Sequence, residues 1–473
     1  MLTLADLIEA LTGVRPEQAD QVITEAAIDS RQVIPGSLFV AIPGERTDGH
    51  NYVGQAFRRG AAFALVQQDL SSQFALLDLR HGYQSQGLAD MEGPFCLWVD
   101  DTIKALQTVA GFWRRKLHLR VIAVTGSVGK STTKELISEV LERQYRTLRN
   151  PGNLNNEIGL PLTLLSLSEG HERAVLEMGF YVPGEIAFLC NLALPQVGVI
   201  TNVGTVHAER AGSVEAIARG KAELVQALPP APEGVAVLNY DDPWVREMAN
   251  QTRARVFFYG LDPKANLWAD EVEGLGLEGI RFRLHYRGET LHLRVPMIGR
   301  HSVHTALRAA AVGLVENLSW QEIVDGLRST TTQLRLVAAR THSGALILDD
   351  TYNASPDSTL AALNLLGELE GFRVAVLGDM LELGPYQEQG HEMVGVRAAE
   401  IADELITLGE LGRIIAAAAR KAGMKPTAIH SFSSRDEVIA YLQERLGPQD
   451  VVLVKGSHGM HMDRIVAALE AGS

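Results

Sequence analysis

The sequence predicts an α/β protein of three domains, built on parallel sheets that are covered by helices. The chain has 473 residues, which is more than one hydrophobic core usually serves. Short apolar runs typical of buried strands alternate with helical patterns over most of its length. A glycine loop suited to phosphate joins one of these strands to the following helix. We place a small N-terminal α/β domain at residues 1–100, a central P-loop parallel-sheet domain at 101–330 and a C-terminal Rossmann-like domain at 331–473.

The N-terminal domain is predicted to begin with an amphipathic helix over residues 1–10. This segment carries acidic residues and no basic n-region, so it is not typical of a signal peptide. Strand-like runs at 37–42, 62–66 and 96–99 are separated by glycine and proline turns. The polar stretch 79–94 indicates a surface excursion before the last of these strands.

The central domain opens with a helical pattern at 102–117, and a phosphate-binding loop follows it. The strand-like run 121–124 leads directly into Thr125, Gly126, Ser127, Val128, Gly129, Lys130, Ser131 and Thr132, after which a helix is predicted. Glycines let backbone N–H groups approach phosphate oxygens, and the helix dipole favours negative charge at this end. Lys130 supplies a point charge, and Ser131 is placed to ligate Mg²⁺. The loop lacks the first glycine of a Walker A motif, because Val124 stands at that position.

The remaining strands of the central domain are predicted at 174–177, 197–200, 235–238 and 256–259. They lie between helical patterns, so we expect a largely parallel sheet. The segment 266–296 alternates polar and apolar residues instead, which predicts an antiparallel hairpin attached to that sheet.

The C-terminal domain is predicted to be a second doubly wound unit. Strand-like runs at 345–350, 374–378, 405–409 and 451–456 are each followed by a helical pattern. Ligands of such sheets lie beyond the carboxyl ends of the strands. The polar residues that fall there are Asp350, Asp379, Glu410 and Lys455.

Composition and charge exclude several classes of protein. A hydrophobic content of 46% and a charged content of 21% are those of an ordinary globular protein. The net charge of −14 argues against a nucleic acid as the main partner. No apolar run reaches the roughly 20 residues that span a bilayer, so we expect no membrane span. The only two cysteines, Cys96 and Cys190, lie in apolar settings, and buried free thiols in a reducing cytoplasm are predicted.

Two groups of side chains are candidates for a site without being decisive. The loop after the phosphate-binding helix contains Asn150, Asn153, Asn155 and Asn156, whose amides suit a carboxylate or a sugar. Turn formation is the alternative use of asparagine. Glu177 ends a predicted strand, where its carboxylate could complete an Mg²⁺ shell beside the phosphates or could be paired for structural reasons.

Two further residues draw attention only in combination with the rest of the chain. His207 lies just beyond a predicted strand, and a lone histidine there is more often structural than a metal ligand. Lys221 lies within the helical run 213–228 and carries no signal of its own.

The chain resembles the Mur ligases, the ATP-dependent peptide synthetases of peptidoglycan assembly. The resemblance covers almost the whole chain, and three stretches are specific to it besides the phosphate loop. They are Asn153-Leu154-Asn155-Asn156-Glu157-Ile158-Gly159, Tyr352-Asn353-Ala354-Ser355-Pro356-Asp357-Ser358 and Gly378-Asp379-Met380-Leu381-Glu382-Leu383-Gly384. Within the family, the chain is most similar to the member that joins D-alanyl-D-alanine to UDP-N-acetylmuramoyl-tripeptide.

The resemblance implies a reaction in which ATP phosphorylates the terminal carboxylate of the tripeptide. The amine of D-alanyl-D-alanine then attacks the acyl phosphate, which gives UDP-N-acetylmuramoyl-pentapeptide, ADP and phosphate. Lys130 would offset the charge of the phosphates, and Ser131 and Glu177 would hold one Mg²⁺. His207 would hold a second Mg²⁺, and Lys221 would carry a carbamate that reaches toward that metal.

The resemblance also implies contacts with the nucleotide and with both substrates. Arg335, at the junction with the last domain, would reach the γ-phosphate. Asp350 and Asn353 would contact ATP from that domain. The UDP-sugar would occupy the N-terminal domain. Its predicted contacts are Ser30 and Arg31, and the other predicted substrate contacts are Asn153, Asn155, Asn156 and Lys455.

The chain departs from the family pattern in three places. The segment G-x-H-N-x-x-N has Ser302 and Thr305 instead of its two asparagines. The ending K-G-S-R has His458 instead of its arginine, and Phe180-Tyr181-Val182 is more apolar than usual. Two other functions stay open: a ligase that adds the third residue, although no D-N-P-R segment is present, and a P-loop kinase or ATPase. We expect a monomer.

Overall fold

The computed structural model describes residues 1–44, 47–83, 88, 91, 93–206, 208–329 and 337–471. Within these residues the chain forms three sheets with helices packed against them. The predicted fold class, a mixed α/β protein with parallel sheets in three domains, is confirmed.

The first sheet belongs to the N-terminal part of the chain and has five strands. Its elements are α1 (Leu4–Thr12), β1 (Ala26–Ala27), β2 (Leu38–Val40), α2 (Val53–Arg58), β3 (Phe63–Val66), β4 (Leu76–Asp78), β5 (Phe95–Trp98) and α3 (Thr102–Lys116). The strand order is β1-β2-β3-β5-β4, and every pair is parallel. The predicted N-terminal helix is confirmed, and it starts at a capping box between Thr3 and Asp6.

The second sheet has nine strands. The elements of this part are β6 (Arg120–Thr125), α4 (Lys130–Leu141), β7 (Thr147–Arg149), α5 (Gly159–Leu165), β8 (Arg173–Glu177), α6 (Glu185–Ala193), β9 (Val197–Ile200), α7 (Ala208–Ala211), α8 (Val214–Gln226), β10 (Val235–Asn239), α9 (Pro243–Glu247), β11 (Arg255–Gly260), β12 (Leu267–Gly274), β13 (Ile280–Tyr286), β14 (Glu289–Val295), α10 (Val303–Val315) and α11 (Trp320–Leu327). The order is β14-β13-β12-β11-β10-β9-β6-β8-β7. The predicted hairpin is the antiparallel run β12-β13-β14, and β12 pairs in parallel with β11.

The third sheet has six strands and lies in the C-terminal part. Its elements are β15 (Val337–Arg340), β16 (Leu346–Asp350), α12 (Pro356–Glu368), β17 (Phe372–Gly378), α13 (Gln387–Ile401), β18 (Glu404–Leu408), α14 (Gly412–Lys421), β19 (Ile429–Phe432), α15 (Arg435–Arg445), β20 (Asp450–Lys455) and α16 (Asp463–Ala471). The order is β15-β16-β20-β17-β18-β19, and β15 alone is antiparallel to its neighbour. Apolar clusters cover both faces of this sheet, which is why its strands are continuous apolar runs.

Contacts between Cα atoms divide the chain into two compact units. The first comprises Met1–Ala123, Tyr145–Gly179 and Glu185–Val197, and the second comprises Val124–Gln144, Phe180–Gly184 and Gly198–Ser473. Each unit consists of separate segments of the chain, so the division does not test the domain boundaries near residues 100 and 330, which stay predictions.

Two further expectations concern the cysteines and the membrane. Cys96 and Cys190 are buried and free, as predicted, and burial raises the pKa of the Cys96 thiol to about 12. Across the described ranges, every helix is too short or too polar to cross a bilayer.

Candidate active site

The phosphate loop lies between β6 and α4, and two glycines allow its path. Gly126 has φ +148°, and a Cβ there would lie 1.8 Å from Oγ1 of Thr201. Gly129 has φ +81° and caps the N-terminus of α4. The backbone carbonyl of Asn202 accepts a hydrogen bond from the N–H of Ser127 at 3.0 Å. The side-chain Oδ1 of Asn202 accepts a second one from the N–H of Val128 at 2.8 Å. The loop is therefore held open by the segment that follows β9.

Lys130 is the first residue of α4, and its amine lies over the loop. Nζ donates to the carbonyl of Gly126 at 3.0 Å and to that of Ser127 at 3.3 Å. Ser131 and Thr132 follow in the first turn of α4 and are half-buried. The backbone N–H groups at this helix terminus and the Lys130 ammonium form a cradle for an anion.

Lys221 lies on α8 in the same unit and is fully buried. Its Nζ has no hydrogen-bond partner among the described residues and lies 4.8 Å from the ring centroid of Phe180. Burial lowers the pKa of the Lys221 amine well below its usual range, and the charge of Lys130 lowers it further. A lowered pKa favours the neutral form of this amine, which is the form that can act as a nucleophile toward carbon dioxide.

The Phe180 ring reaches Lys221 only because residue 220 is glycine. A Cβ on Gly220 would lie 2.0 Å from Cε2 of Phe180. We expect Gly220→Ala to displace the ring and to lower the free energy of unfolding by about 1–3 kcal/mol, as overpacking does. Chemical denaturation followed by fluorescence measures this.

The matched control for Gly220→Ala is Gly54→Ala on α2. A Cβ at Gly54 meets its nearest atom, in Phe74, at 3.4 Å, so this change should be neutral or slightly stabilising. Equal stability of the Gly220→Ala and Gly54→Ala proteins would contradict the packing argument.

Glu177 lies at the end of β8 and is held by two asparagines. Its side chain is 2% exposed, and its Oε1 accepts a hydrogen bond from Nδ2 of Asn155 at 2.9 Å. Asn150 is buried and bonds the backbone N–H and carbonyl of Glu177. Asn156 accepts the N–H of Gly159 at the start of α5, whereas Asn153 is exposed. The amides of Asn150, Asn155 and Asn156 thus order this loop or the Glu177 carboxylate. The role of Asn153, Asn155 and Asn156 in binding substrate stays a prediction.

The predicted UDP-sugar residues lie in the N-terminal part of the chain. Ser30 is buried and donates to Oε1 of Gln55 at 3.0 Å. The side chain of Arg31 is 81% exposed and pairs with Asp29 at 2.7 Å. The structure therefore leaves Arg31 open to a ligand and engages Ser30 within the fold.

Lys455 fixes the turn that follows β16. Its Nζ donates to Oδ2 of Asp350 at 2.7 Å and to the carbonyl of Asn353 at 2.8 Å, and its side chain is 1% exposed. Asp350 and Lys455 are neighbours across the parallel pair β16/β20, so sheet register brings them together. Lys455 was predicted to contact substrate, and in this structure its amine orders the predicted nucleotide residues.

Two contacts link the segment that follows β9 to the C-terminal part of the chain. Oδ2 of Asp357, on the first turn of α12, lies 2.6 Å from the position of a Cβ on Gly204. Partial desolvation raises the pKa of the Asp357 carboxyl, and Asp242 raises it further. The N–H of Glu209 donates to the carbonyl of Glu382, in the predicted G-D-M-L-E-L-G stretch.

His207 and Arg335 lie outside the described residues, so their assignments stay predictions. The Ser302 hydroxyl donates to the carbonyl of Ile298 at 2.7 Å, and Thr305 is buried at 7% exposure. Neither side chain therefore offers a ligand an exposed amide in place of the family's asparagines. Over the parts of the chain that are described, three or more His, Cys, Asp or Glu side chains do not come together as metal ligands do.

Sequence reasoning overlooked two residues that contact the phosphate loop, Asn202 and Arg308. Asn202 lies just beyond the end of a predicted strand, in Thr201-Asn202-Val203-Gly204, and this position beyond a strand end is the signal by which the sequence could have indicated it. Arg308 interrupts the apolar helix α10, and a single arginine among alanines was the sign of a specific partner.

A phosphate cradle at the carboxyl end of a strand, in a protein with doubly wound sheets, defines an α/β protein that binds nucleotide phosphates. Three family models match the chain: "Mur ligase family, catalytic domain" at residues 22–76, "Mur ligase middle domain" at 124–313 and "Mur ligase, glutamate ligase domain" at 334–458. The chain belongs to the Mur ligase family, and the resemblance found in the sequence is confirmed.

Relatives and solved structures match over nearly the full length. The UDP-N-acetylmuramoyl-tripeptide--D-alanyl-D-alanine ligases of Bacillus subtilis and Escherichia coli are 36% and 32% identical, each covering 99% of this chain and 98% of the relative. A crystal structure of MurF from Acinetobacter baumannii has 31% identity and a TM-score of 0.83, covering 99% of this chain and 98% of that one. MurF ligase from Thermotoga maritima in complex with ADP has 26% identity and a TM-score of 0.79, covering 96% and 99%.

Proposed function

We propose that this protein is an ATP-dependent ligase that joins D-alanyl-D-alanine to UDP-N-acetylmuramoyl-tripeptide. The products are UDP-N-acetylmuramoyl-pentapeptide, ADP and phosphate, and the reaction passes through an acyl phosphate. The observation that carries the proposal is the phosphate loop together with the buried amine of Lys221, which lies in the same compact unit. The relatives that match over nearly the full length are named as ligases of this kind. We further propose that it acts in the cytoplasm as a monomer.

The residues of the chain supply charge and order to the first step. Transfer of a phosphoryl group to a carboxylate brings two anions together, so cations must offset the repulsion. Lys130 and the N-terminus of α4 do this on the side of the nucleotide. Asp350 and Asn353 would bind ATP from the turn that Lys455 orders.

Two Mg²⁺ ions and a carbamate on Lys221 complete the proposed chemistry. Mg²⁺ would neutralise phosphate charge, and its proposed ligands are Ser131, Glu177 and His207. The donor types fit, because a hydroxyl and a carboxylate are hard oxygen ligands, and Asn155 already orients the Glu177 carboxylate. Lys221 fits a carbamate because its buried Nζ is unpartnered. A carbamate would replace a cation beside Lys130 by an anion and so remove the repulsion between the two amines.

An assay that omits one component at a time tests the proposal. Purified protein is mixed with Mg²⁺, ATP, UDP-N-acetylmuramoyl-tripeptide and D-alanyl-D-alanine, and phosphate release and product mass are recorded. We expect phosphate release to require all of these components and the product to be the pentapeptide. Phosphate release that is indifferent to D-alanyl-D-alanine would instead indicate a kinase or an ATPase.

The alternative ligase is tested in the same assay with a changed substrate pair. UDP-N-acetylmuramoyl-dipeptide is offered with lysine or with diaminopimelate in place of D-alanyl-D-alanine. Formation of a tripeptide product from this pair would assign the chain to the third-residue-adding ligases.

A further inference from the structure

Arg308 on α10 is a buried cation whose charge the proposed mechanism does not use. The residue is 6% exposed. Its Nη1 donates to Oγ1 of Thr133 at 2.6 Å, and its Nε donates to the carbonyl of His304 at 3.0 Å. Both acceptors are neutral, and the aromatic ring of Tyr259 has its centroid 5.8 Å from Cζ. Within the described ranges no carboxylate forms an ion pair with the guanidinium. A buried charge without a counter-charge is costly, so an anion that binds nearby would be favoured.

The guanidinium lies close to the point where the phosphate loop meets α4. Nη1 is 3.3 Å from the position that a Cβ on Gly129 would occupy. Gly129 caps α4, and Thr133 follows in the first turn of the same helix. The charge of Arg308 therefore lies close to the helix N-terminus that forms the cradle, and its burial places it in a region of low dielectric where charges interact strongly. Burial lowers the pKa of the Arg308 guanidinium, and arginine keeps its charge in proteins because its ordinary pKa is so high.

We propose that Arg308 is a positioning residue for the polyphosphate of the nucleotide: it places a buried positive charge close to the loop and holds Gly129 and Thr133 in place. It acts without touching the phosphates, through the loop and through its electric field. The inference deepens the proposed function and rests on it only in requiring that the protein binds a nucleoside triphosphate.

The competing role is a structural brace alone. A brace affects every ligand of the loop alike, because it changes the shape of the site. A charge affects ligands in proportion to their own charge, so ATP should respond more than ADP, and ADP more than AMP. The selectivity among these three nucleotides therefore separates the two roles.

The experiment measures binding of ATP, ADP and AMP, each with Mg²⁺, to the full-length protein by calorimetry. We expect Arg308→Met to weaken ATP binding by about tenfold and AMP binding by less than about twofold. Arg308→Lys should bind each of the three nucleotides within about threefold of the wild-type affinity. Thr133→Val is the matched control, since it removes the 2.6 Å hydrogen bond and leaves the charge. It should change the three affinities by similar small factors.

Equal losses for ATP, ADP and AMP in Arg308→Met would overturn the inference, as would a Thr133→Val protein with the same selectivity change. If Arg308→Met does not fold, Arg308→Gln replaces it, and inorganic tripolyphosphate is compared with AMP as the ligand. A wild-type protein that binds none of the nucleotides would reject the proposed function itself. Normal wild-type binding with unchanged selectivity in the variants would reject only the role of Arg308.

Discussion

Lys130→Met is expected to reduce the rate of ADP formation by about 10³-fold, the scale on which preorganised charge acts in phosphoryl transfer. Methionine keeps most of the length and the apolar stem of lysine and removes the charge. In the structure Nζ lies over the carbonyls of Gly126 and Ser127, at the mouth of the cradle that α4 begins. Within the loop, all of which is described, Lys130 is the only cation, and Arg308 is proposed to act without touching the phosphates, so the loss should not be compensated. Initial rates of ADP formation with saturating substrates measure the effect.

The matched control for Lys130 is Lys104→Met on α3. The Lys104 side chain is 81% exposed and lies 3.6 Å from Asp101, which is a surface pair of little energetic value. Its removal should leave the rate unchanged. A Lys130→Met protein that retains even a tenth of the wild-type rate would show that the loop lysine does not stabilise the transferring phosphoryl group.

The strands that sequence analysis missed share one physical property. They are β1, β4, β7, β15 and β19, and each lies at an edge of its sheet. An edge strand has a neighbour on one side only and is short or partly exposed, so it needs no continuous apolar run. The inner strands β2, β3, β10, β17 and β20 are buried over most or all of their length, and each contains a run of at least three apolar residues. Continuous apolar runs therefore predicted the centres of the sheets, and of the edge strands only β14 was predicted, from its alternating pattern.

The candidate site was predictable where chemistry is local in the sequence. The phosphate loop is eight consecutive residues, and its glycines, lysine and hydroxyls could be recognised without knowledge of packing. The asparagines near Glu177 were predicted as ligands, and the structure shows Asn150, Asn155 and Asn156 ordering the loop and the carboxylate. Local amide density does not reveal whether an amide faces the fold or the solvent.

The buried cations could not be predicted from spacing. Lys221 is unpartnered because α8 packs it against Phe180, from a segment forty residues earlier in the chain. Arg308 reaches Thr133 across 175 residues of sequence. Both properties depend on how distant elements pack, and sequence alone singled out Lys221 only through family resemblance.

Lys221→Ala is expected to lower turnover by about 10²-fold or more, because a carboxylate near the reacting charges is worth several kcal/mol in a water-excluded site. Added acetate is expected to restore part of the lost turnover. The alanine variant leaves a space where Nζ and its proposed carbamate stood, and acetate offers a carboxylate of similar size. Since the wild-type Nζ is fully buried and has no hydrogen-bond partner among the described residues, the alanine variant loses the packing of the side chain and its charged or carbamylated group but no hydrogen bond. Rates are measured with increasing acetate at constant ionic strength.

Lys221→Arg is the control that separates charge from space. Arginine fills the site, keeps a positive charge beside Lys130 and cannot form the carbamate, so it should be as inactive as alanine and insensitive to acetate. A direct signal is available as well, because protein exposed to ¹³C-bicarbonate should show a carbamate resonance that Lys221→Ala lacks. Normal turnover of Lys221→Ala, or acetate activation of Lys221→Arg, would reject the carbamate. The buried amine would then act as a neutral base or as a cation, and the repulsion from Lys130 would have to be offset when the phosphates bind.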